Sequence, residues 1–397
     1  MIKNRDIVVV GIQAWDIEIG SNCKNIATEF AKNNRVLYVN PPLDRSSLKR
    51  EKHTEKIQKR IRVKQGEEDD LVEVKTNLWN LYPKNMTESI NWIPFHGLFK
   101  MLNKRNSRIF AKDIKSAIDR LGFKDVLLFN DSSMFLGYHL KEFLAPESYT
   151  YYMRDYLIRV PYWRKHGERL EPELIKKSDT VVNNSILYAE YGAKFNSRSF
   201  MVGQGCDVSL FNDEDGTIEV PQEFNNIPKP IIGYVGYLTS MRLDIPLLEY
   251  MAKNRENWSI VLVGPEDEDF KKSTLHEMDN VYFLGSKDAL ELPAYVKGFD
   301  VAMNPQVVND WTIGNYPRKI DEYLAMGKPT LATSTKAMEM FKNHVYLGSS
   351  KEEYISLTEK ALSENTTKLI AERIEFAKSH TWENNVLAIY EAIEKSA

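Results

Sequence analysis

Short runs rich in Val, Ile and aromatic residues alternate with helix-patterned stretches along nearly the whole chain, and this alternation restricts the possible folds more than any other feature. Strands separated by a helix's length of chain cannot pair as hairpins, so they assemble as parallel sheets with helices on both faces. Strands are predicted at Ile7 to Gly11, Arg35 to Val39, Leu71 to Lys75, Val126 to Asn130, Tyr149 to Met153, Thr180 to Asn183 and Ser199 to Val202. A second set follows at Ile231 to Val235, Ser259 to Val263, Val281 to Leu284, Val301 to Asn304, Thr330 to Ala332 and Val345 to Leu347. Between them, Asn212 to Pro230 collects Asp, Glu, Asn, Gly and Pro without apolar period and reads as a hinge. The expected domains are therefore 1–212 and 213–380, with 381–397 as a terminal helix. Two doubly wound domains leave a cleft at the C-terminal ends of their strands, where ligands bind.

Composition narrows the function classes. A chain of 397 residues with 43% hydrophobic and 27% charged residues has room for two cores. Its formal net charge of -3 offers no global attraction to nucleic acid, and no apolar run approaches the roughly 20 residues that span a bilayer. Met1 leads straight into the strand Ile7 to Gly11, unlike a secretory signal, so a cytoplasmic location is expected. Cys23 and Cys206 lie far apart, which supports neither a disulfide framework nor a metal site.

Gly314 to Pro329 concentrates chemistry. Gly314 permits close approach of backbone to a ligand, Asn315 suits a helix N-cap, and Pro317 suits a first turn. Lys319 and Glu322 share one helix face. The ammonium can neutralise phosphate oxygens, and the carboxylate can accept hydrogen bonds from vicinal ribose hydroxyls. An ordinary surface Lys/Glu pair is the competing reading.

The run Pro317-x-Lys319-x-x-Glu322-Tyr323-Leu324-Ala325-x-Gly327-Lys328-Pro329 resembles the nucleotide-binding helix of GT-B glycosyltransferases related to family 4. The resemblance extends through Ile231 to Leu238, Ser259 to Pro265, Asn280 to Gly285 and Phe299 to Pro305 in the family's order, and is only an outline before residue 200. It implies an α/β GT-B fold of two Rossmann-like domains whose terminal helix crosses back onto the first. It also implies a hexosyltransferase-type enzyme taking a nucleotide-sugar donor, with UDP expected, and a glycan or lipid-linked acceptor in cell-surface polysaccharide synthesis. On this resemblance Arg242 joins Lys319 at the diphosphate. Gly236, Gly264 and Gly20 line the donor through their loops, and Gly314 and Asn315 supply backbone contacts. The family usually carries a first glutamate where this chain has Gly314, so backbone amides of Ile313 to Asn315 are expected to meet the sugar. A nucleotide-sugar epimerase of the same fold and a non-catalytic nucleotide-binding protein are the alternatives.

Breaking the anomeric C–O bond puts negative charge on the departing diphosphate, which either a metal or fixed cations can meet. The acidic runs Asp213 to Asp215 and Glu266 to Asp269 read as solvated loops. A metal-free site built on Arg242 and Lys319 is therefore expected, with no cofactor. For an inverting reaction Asp131 and Asp155, at predicted strand ends, are candidate bases, with Asp16 a third; each also reads as a cap or turn residue. The basic stretch Arg45 to Lys64 and the apolar-basic stretch Ile90 to Arg105 suggest peripheral contact with an anionic membrane, or else a solvated helix beside a core helix. No repeated aromatic-basic surface supports nucleic acid as a partner.

Overall fold

The computed structural model describes residues 1–17, 20–309 and 312–396, which form two compact units. The first comprises Met1–Gly205 and Trp382–Ala397, the second Cys206–Thr381.

The first unit holds eight strands: β1 (Asp6–Gly11), β2 (Arg35–Val39), β3 (Leu71–Lys75), β4 (Leu78–Leu81), β5 (Leu127–Asp131), β6 (Ser148–Met153), β7 (Thr180–Asn183) and β8 (Ser199–Met201), in the order β3-β4-β2-β1-β5-β6-β7-β8. Every pairing is parallel except β3 with β4. That hairpin turns through Asn77, whose φ of 62° is tolerated because Asn readily enters the left-handed region. β4 went unpredicted because Leu78-Trp79-Asn80-Leu81 is short and follows β3 without a crossover. β1, β5 and β7 are buried along their length, as strands covered on both faces must be. The terminal helix Trp382–Ser396 lies in this unit, where Tyr390 stacks on Phe30 and accepts a 2.9 Å hydrogen bond from Asn34.

The second unit has β9 (Ile231–Val235), β10 (Ser259–Val263), β11 (Val281–Gly285), β12 (Val301–Asn304), β13 (Thr330–Thr333) and β14 (Tyr346–Gly348), all parallel, in the order β11-β10-β9-β12-β13-β14. This is the doubly wound order, and its direction reverses between β9 and β12, where such sheets bind ligands beyond the carboxyl ends of the strands. Residues 206–230, expected in part to belong to the first domain and in part to link the two, pack into this unit. Phe211, Phe224 and Ile227 enter its core, Asp213 pairs with Lys297 at 2.6 Å, and Glu223 accepts from Tyr295 at 2.5 Å. The polar residues that gave the segment its linker composition face outward around those anchors.

Candidate functional site

The loops after β9, β10 and β12 converge at the reversal point of the second sheet. Gly236 follows β9 and donates its N–H to Val263 O at 2.9 Å; Leu238 donates to Pro265 O at 2.9 Å, and Val307 to Arg242 O at 2.8 Å. Gly236 and Gly264 are indispensable to this arrangement. Their φ values are 141° and 150°, and a Cβ on Gly264 would fall 1.9 Å from the Gly236 carbonyl oxygen. No side chain fits there.

The helix Lys319–Ala325 packs behind these loops. Ile320, Tyr323 and Leu324 are fully buried, and Gly327 and Lys328 close the helix by donating to Leu324 O at 2.8 Å and Tyr323 O at 3.0 Å. The Tyr323 hydroxyl accepts from Val235 N at 2.9 Å, which fixes the helix to the last residue of β9. One turn earlier on the same face, Lys319 brings Nζ to Gly236, so close that a Cβ there would lie 2.9 Å from it. The ammonium lies 5.0 Å from the Tyr234 ring centroid. Lys319 is half-buried, and among the described residues no carboxylate comes within ion-pair distance of it. An ammonium held in that way is short of an anion.

Glu322 is not its partner. Glu322 Oε1 faces Arg318 at 3.6 Å, longer than a hydrogen bond, and its side chain is 19% exposed. Burial raises the Glu322 pKa despite the opposing charges of Arg318 and Lys319. The carboxylate thus has acceptor capacity to spare. Arg242 is exposed at the end of the Gly236 loop, and the pairing with Asp244 or Glu249 that an ordinary surface arginine would make is absent. Asp244 caps the helix Ile245–Asn254 by accepting from Leu247 N at 2.9 Å, and Glu249 accepts from Thr274.

Two expectations for this region need correction. The helix starts at Lys319 behind Arg318, so Asn315 is no N-cap and Pro317 precedes the first turn. Instead, Ile313 and Asn315 donate their amides to Asn309 O and Thr312 O, both at 3.0 Å, within a turn that Thr312 and Asn309 fasten through side-chain bonds. Those two amides are consumed, leaving buried Gly314 between them. Trp311, three residues ahead of Gly314, lies outside the described residues.

In the first unit the reversal of strand order falls between β1 and β5, and there the two candidate bases differ sharply. Asp131 is wholly buried, with Oδ1 accepting from Arg154 Nε at 2.9 Å, whereas the Asp155 side chain is 47% exposed and lies 3.1 Å from Arg154 Nη1. Arg154 also donates to Gln13 at 3.0 Å. Burial disfavours its charge, but Asp131 and Asp155 outweigh that and raise its pKa. Asp131 therefore positions Arg154 and is closed to an acceptor; Asp155 also accepts from Arg154 but is exposed. Asp16 is engaged by Arg60 at 2.9 and 3.0 Å. Gly20 is exposed just ahead of Ser21, which caps the helix Asn22–Phe30. Ile19 of that loop lies outside the described residues.

The acidic runs are occupied by local structure. Asp267 caps Glu268–Lys271, Glu266 pairs with His276 at 2.8 Å, and Asp269 accepts from Ser240 at 2.6 Å. Lys328, prominent in the sequence motif, holds two backbone carbonyls, Lys297 O at 2.7 Å and Phe299 O at 2.8 Å. Burial lowers its pKa to about 8.

One buried group escaped the sequence reading. Asp321, fully buried, accepts from Tyr316 at 2.7 Å and lies 2.7 Å from His380 Nδ1, so it ties the loop before the helix to the end of the helix Thr367–Ser379. Burial raises its pKa against the pull of His380 and Tyr316. An acid on the buried face of an otherwise apolar helix was the available signal.

Residues 229–371, almost all of them the sheet and helices just described, match the family of glycosyl transferases group 1. The second unit is a group 1 glycosyltransferase domain. A curated relative, the putative teichuronic acid biosynthesis glycosyltransferase TuaH of Bacillus subtilis strain 168, is 26% identical over 232 residues, 55% of this chain and 57% of that protein. The match thus spans little more than half the length of this relative. Among solved structures, Anabaena Alr3699/HepE in complex with UDP superposes with a TM-score of 0.68 at 14% identity, covering 98% of this chain and 100% of that one. Sucrose-phosphate synthase from Thermosynechococcus elongatus gives 0.64 at 15% identity, covering 99% of each chain. At such identities the likeness establishes the fold: the chain is a GT-B protein with two Rossmann-like units.

Proposed function

We propose that this group 1 domain binds the diphosphate of a nucleotide-sugar, a UDP-sugar foremost, and that the protein transfers the sugar to a hydroxyl of a glycan or lipid-linked acceptor in cell-surface polysaccharide synthesis. The observation that carries the proposal is the half-buried Lys319 ammonium, unpaired among the described residues and set against Gly236 at the reversal point of the sheet. A diphosphate supplies the missing anion. Arg242, at the far end of the same loop, adds a second cation, and Glu322 accepts from the ribose hydroxyls. As the anomeric bond breaks, these fixed cations stabilise the leaving group without a metal, and Asp155, the exposed one of the two carboxylates on Arg154, is the base for an acceptor hydroxyl in an inverting reaction. UDP in the HepE complex and the description of TuaH as a putative teichuronic acid biosynthesis glycosyltransferase support the choice of donor and pathway class.

Gly314 in place of a side-chain acceptor favours a second reading, nucleotide binding without turnover. Incubating the protein with UDP-hexoses and lipid-linked or soluble glycan acceptors, with chelator present, separates the readings. The proposal expects acceptor-dependent release of UDP and a glycosylated product. Epimerised donor without acceptor would indicate an epimerase, and saturable binding with no product over the whole panel would favour the non-catalytic reading.

A further inference from the structure

The first unit carries a patch that the donor chemistry does not use. Trp92 is 74% exposed, Phe95 72%, Met101 61%, Tyr162 56% and Leu98 44%, although Ile90, Ile93 and Phe99 from the same stretch are buried in the core. The helix His96–Leu121 thus begins with two apolar faces, one packed inward through Phe99 and one, Phe95, Leu98 and Met101 at three-residue spacing, turned to solvent. The patch is preformed. Trp92 Nε1 donates to Ser89 O at 2.8 Å within its own turn, while Lys165 donates to Trp92 O at 2.6 Å and Asn91 to Tyr162 O at 2.6 Å, so two chain segments, 89–92 and 162–165, are joined.

Its unpaired charge is mostly basic. The nearby acids are largely spent: Glu88 pairs with Arg45 at 2.8 Å, Glu173 with Lys100 at 2.7 Å and Glu168 with Arg164 at 3.8 Å. Lys49, Arg50, Arg105 and Arg169 make no ion pair among the described residues. Asp44, held by hydrogen bonds from Ser46, Ser47 and Ser89, and Arg50 are both near enough to Tyr162 to act on its phenol, and Arg169 acts on His96. Downstream of Lys52, Arg60 is neutralised by Asp16 and Arg62 by Glu55 and Glu68.

We propose that this face is the docking surface for an anionic lipid bilayer. Aromatic rings with a polar edge settle at the headgroup boundary, aliphatic side chains enter the acyl region, and unpaired bases meet acidic headgroups. A protein partner would have to match five exposed apolar side chains with a rim where unpaired bases outnumber unpaired acids, whereas an acidic membrane meets both demands. Among the described residues no helix is long and apolar enough to cross a membrane, so contact of this kind is made from the surface. The inference goes beyond the donor reading and stands or falls without it.

Flotation of the full chain with phosphatidylcholine vesicles, with and without phosphatidylglycerol, tests it. The protein should float with the anionic vesicles and fall by tenfold or more on neutral ones or in high salt. Phe95→Ser with Met101→Ser, and separately Arg50→Glu with Arg169→Glu, should each reduce binding tenfold while leaving the circular dichroism spectrum and UDP affinity unchanged. Equal recovery on neutral and anionic vesicles, or variants that float like the wild type, would overturn it. Self-association in sedimentation that the apolar variant abolishes, with no vesicle binding, would assign the face to a second copy and refute the bilayer.

Discussion

Glu322→Gln isolates the carboxylate assigned to the ribose. The substitution preserves shape and removes charge, at a side chain whose Oε1 stands 3.6 Å from its nearest cation and is therefore not already committed to a hydrogen bond. Hydrogen bonds to a charged group contribute about 1 to 1.5 kcal/mol more than neutral ones, so losing the charge from two of them weakens UDP by about 2 to 3 kcal/mol, or ~30- to 150-fold. Calorimetric titration with UDP and with its 2′,3′-dideoxy analogue reads this directly: the variant should lose affinity for UDP and change by no more than about threefold for the analogue. pH adds a second signature. Burial raises the Glu322 pKa, so the ionised acceptor is depleted at acidic pH and UDP affinity should rise as pH rises through the folded value. In Glu322→Gln that rise should vanish. Equal losses for UDP and the dideoxy compound, or an unchanged pH profile in the variant, would refute the ribose assignment.

Three other outcomes follow from the same geometry. His380→Ala leaves the Asp321 carboxylate with Tyr316 alone and should destabilise the second unit by about 2 to 3 kcal/mol in urea unfolding; Asp321→Leu with His380→Leu should cost less, because no buried charge is stranded. Glu171, fully buried with Tyr151 as its hydrogen-bond donor, has its pKa raised by burial from 4.5 to about 7. The native state therefore holds a proton that the unfolded chain has released, and stability falls by about 3 kcal/mol as pH rises between those values, then levels. Unfolding curves of Glu171→Gln should lack that slope. Asp155→Asn should abolish transfer while sparing UDP affinity if the reaction inverts, whereas Asp131→Asn should act on protein stability first, by loosening Arg154.

Much of this fold was legible because buried parallel strands leave near-continuous apolar runs such as Ile7 to Gly11 and Ser259 to Val263, and these recur close to the predicted bounds. The hairpin strand Leu78–Leu81 was not, since four residues with an inward asparagine carry no period. The chain's crossing between units was displaced for a related reason: Phe211, Phe224 and Ile227 are isolated anchors in polar sequence, visible only once their partners are known. At the site, spacing correctly joined Lys319 and Glu322 on one helix face but could not foresee that Arg318, and not Lys319, faces the carboxylate. Nor could it foresee that the turn at Asn309 and Thr312 takes the amides of Ile313 and Asn315. Asp131 and Asp155 look alike as acids near strand ends. Only tertiary burial separates them.

The central claim is that Lys319 meets a diphosphate at Gly236, and comparing uridine, UMP and UDP binding to the wild type and to Lys319→Ala tests it most directly. The wild type should prefer UDP over uridine by a margin that falls by ~10- to 150-fold in the variant, the loss of one charge-assisted contact of about 1.5 to 3 kcal/mol, while uridine itself binds both proteins alike. A UDP preference that survives the substitution intact would contradict the account.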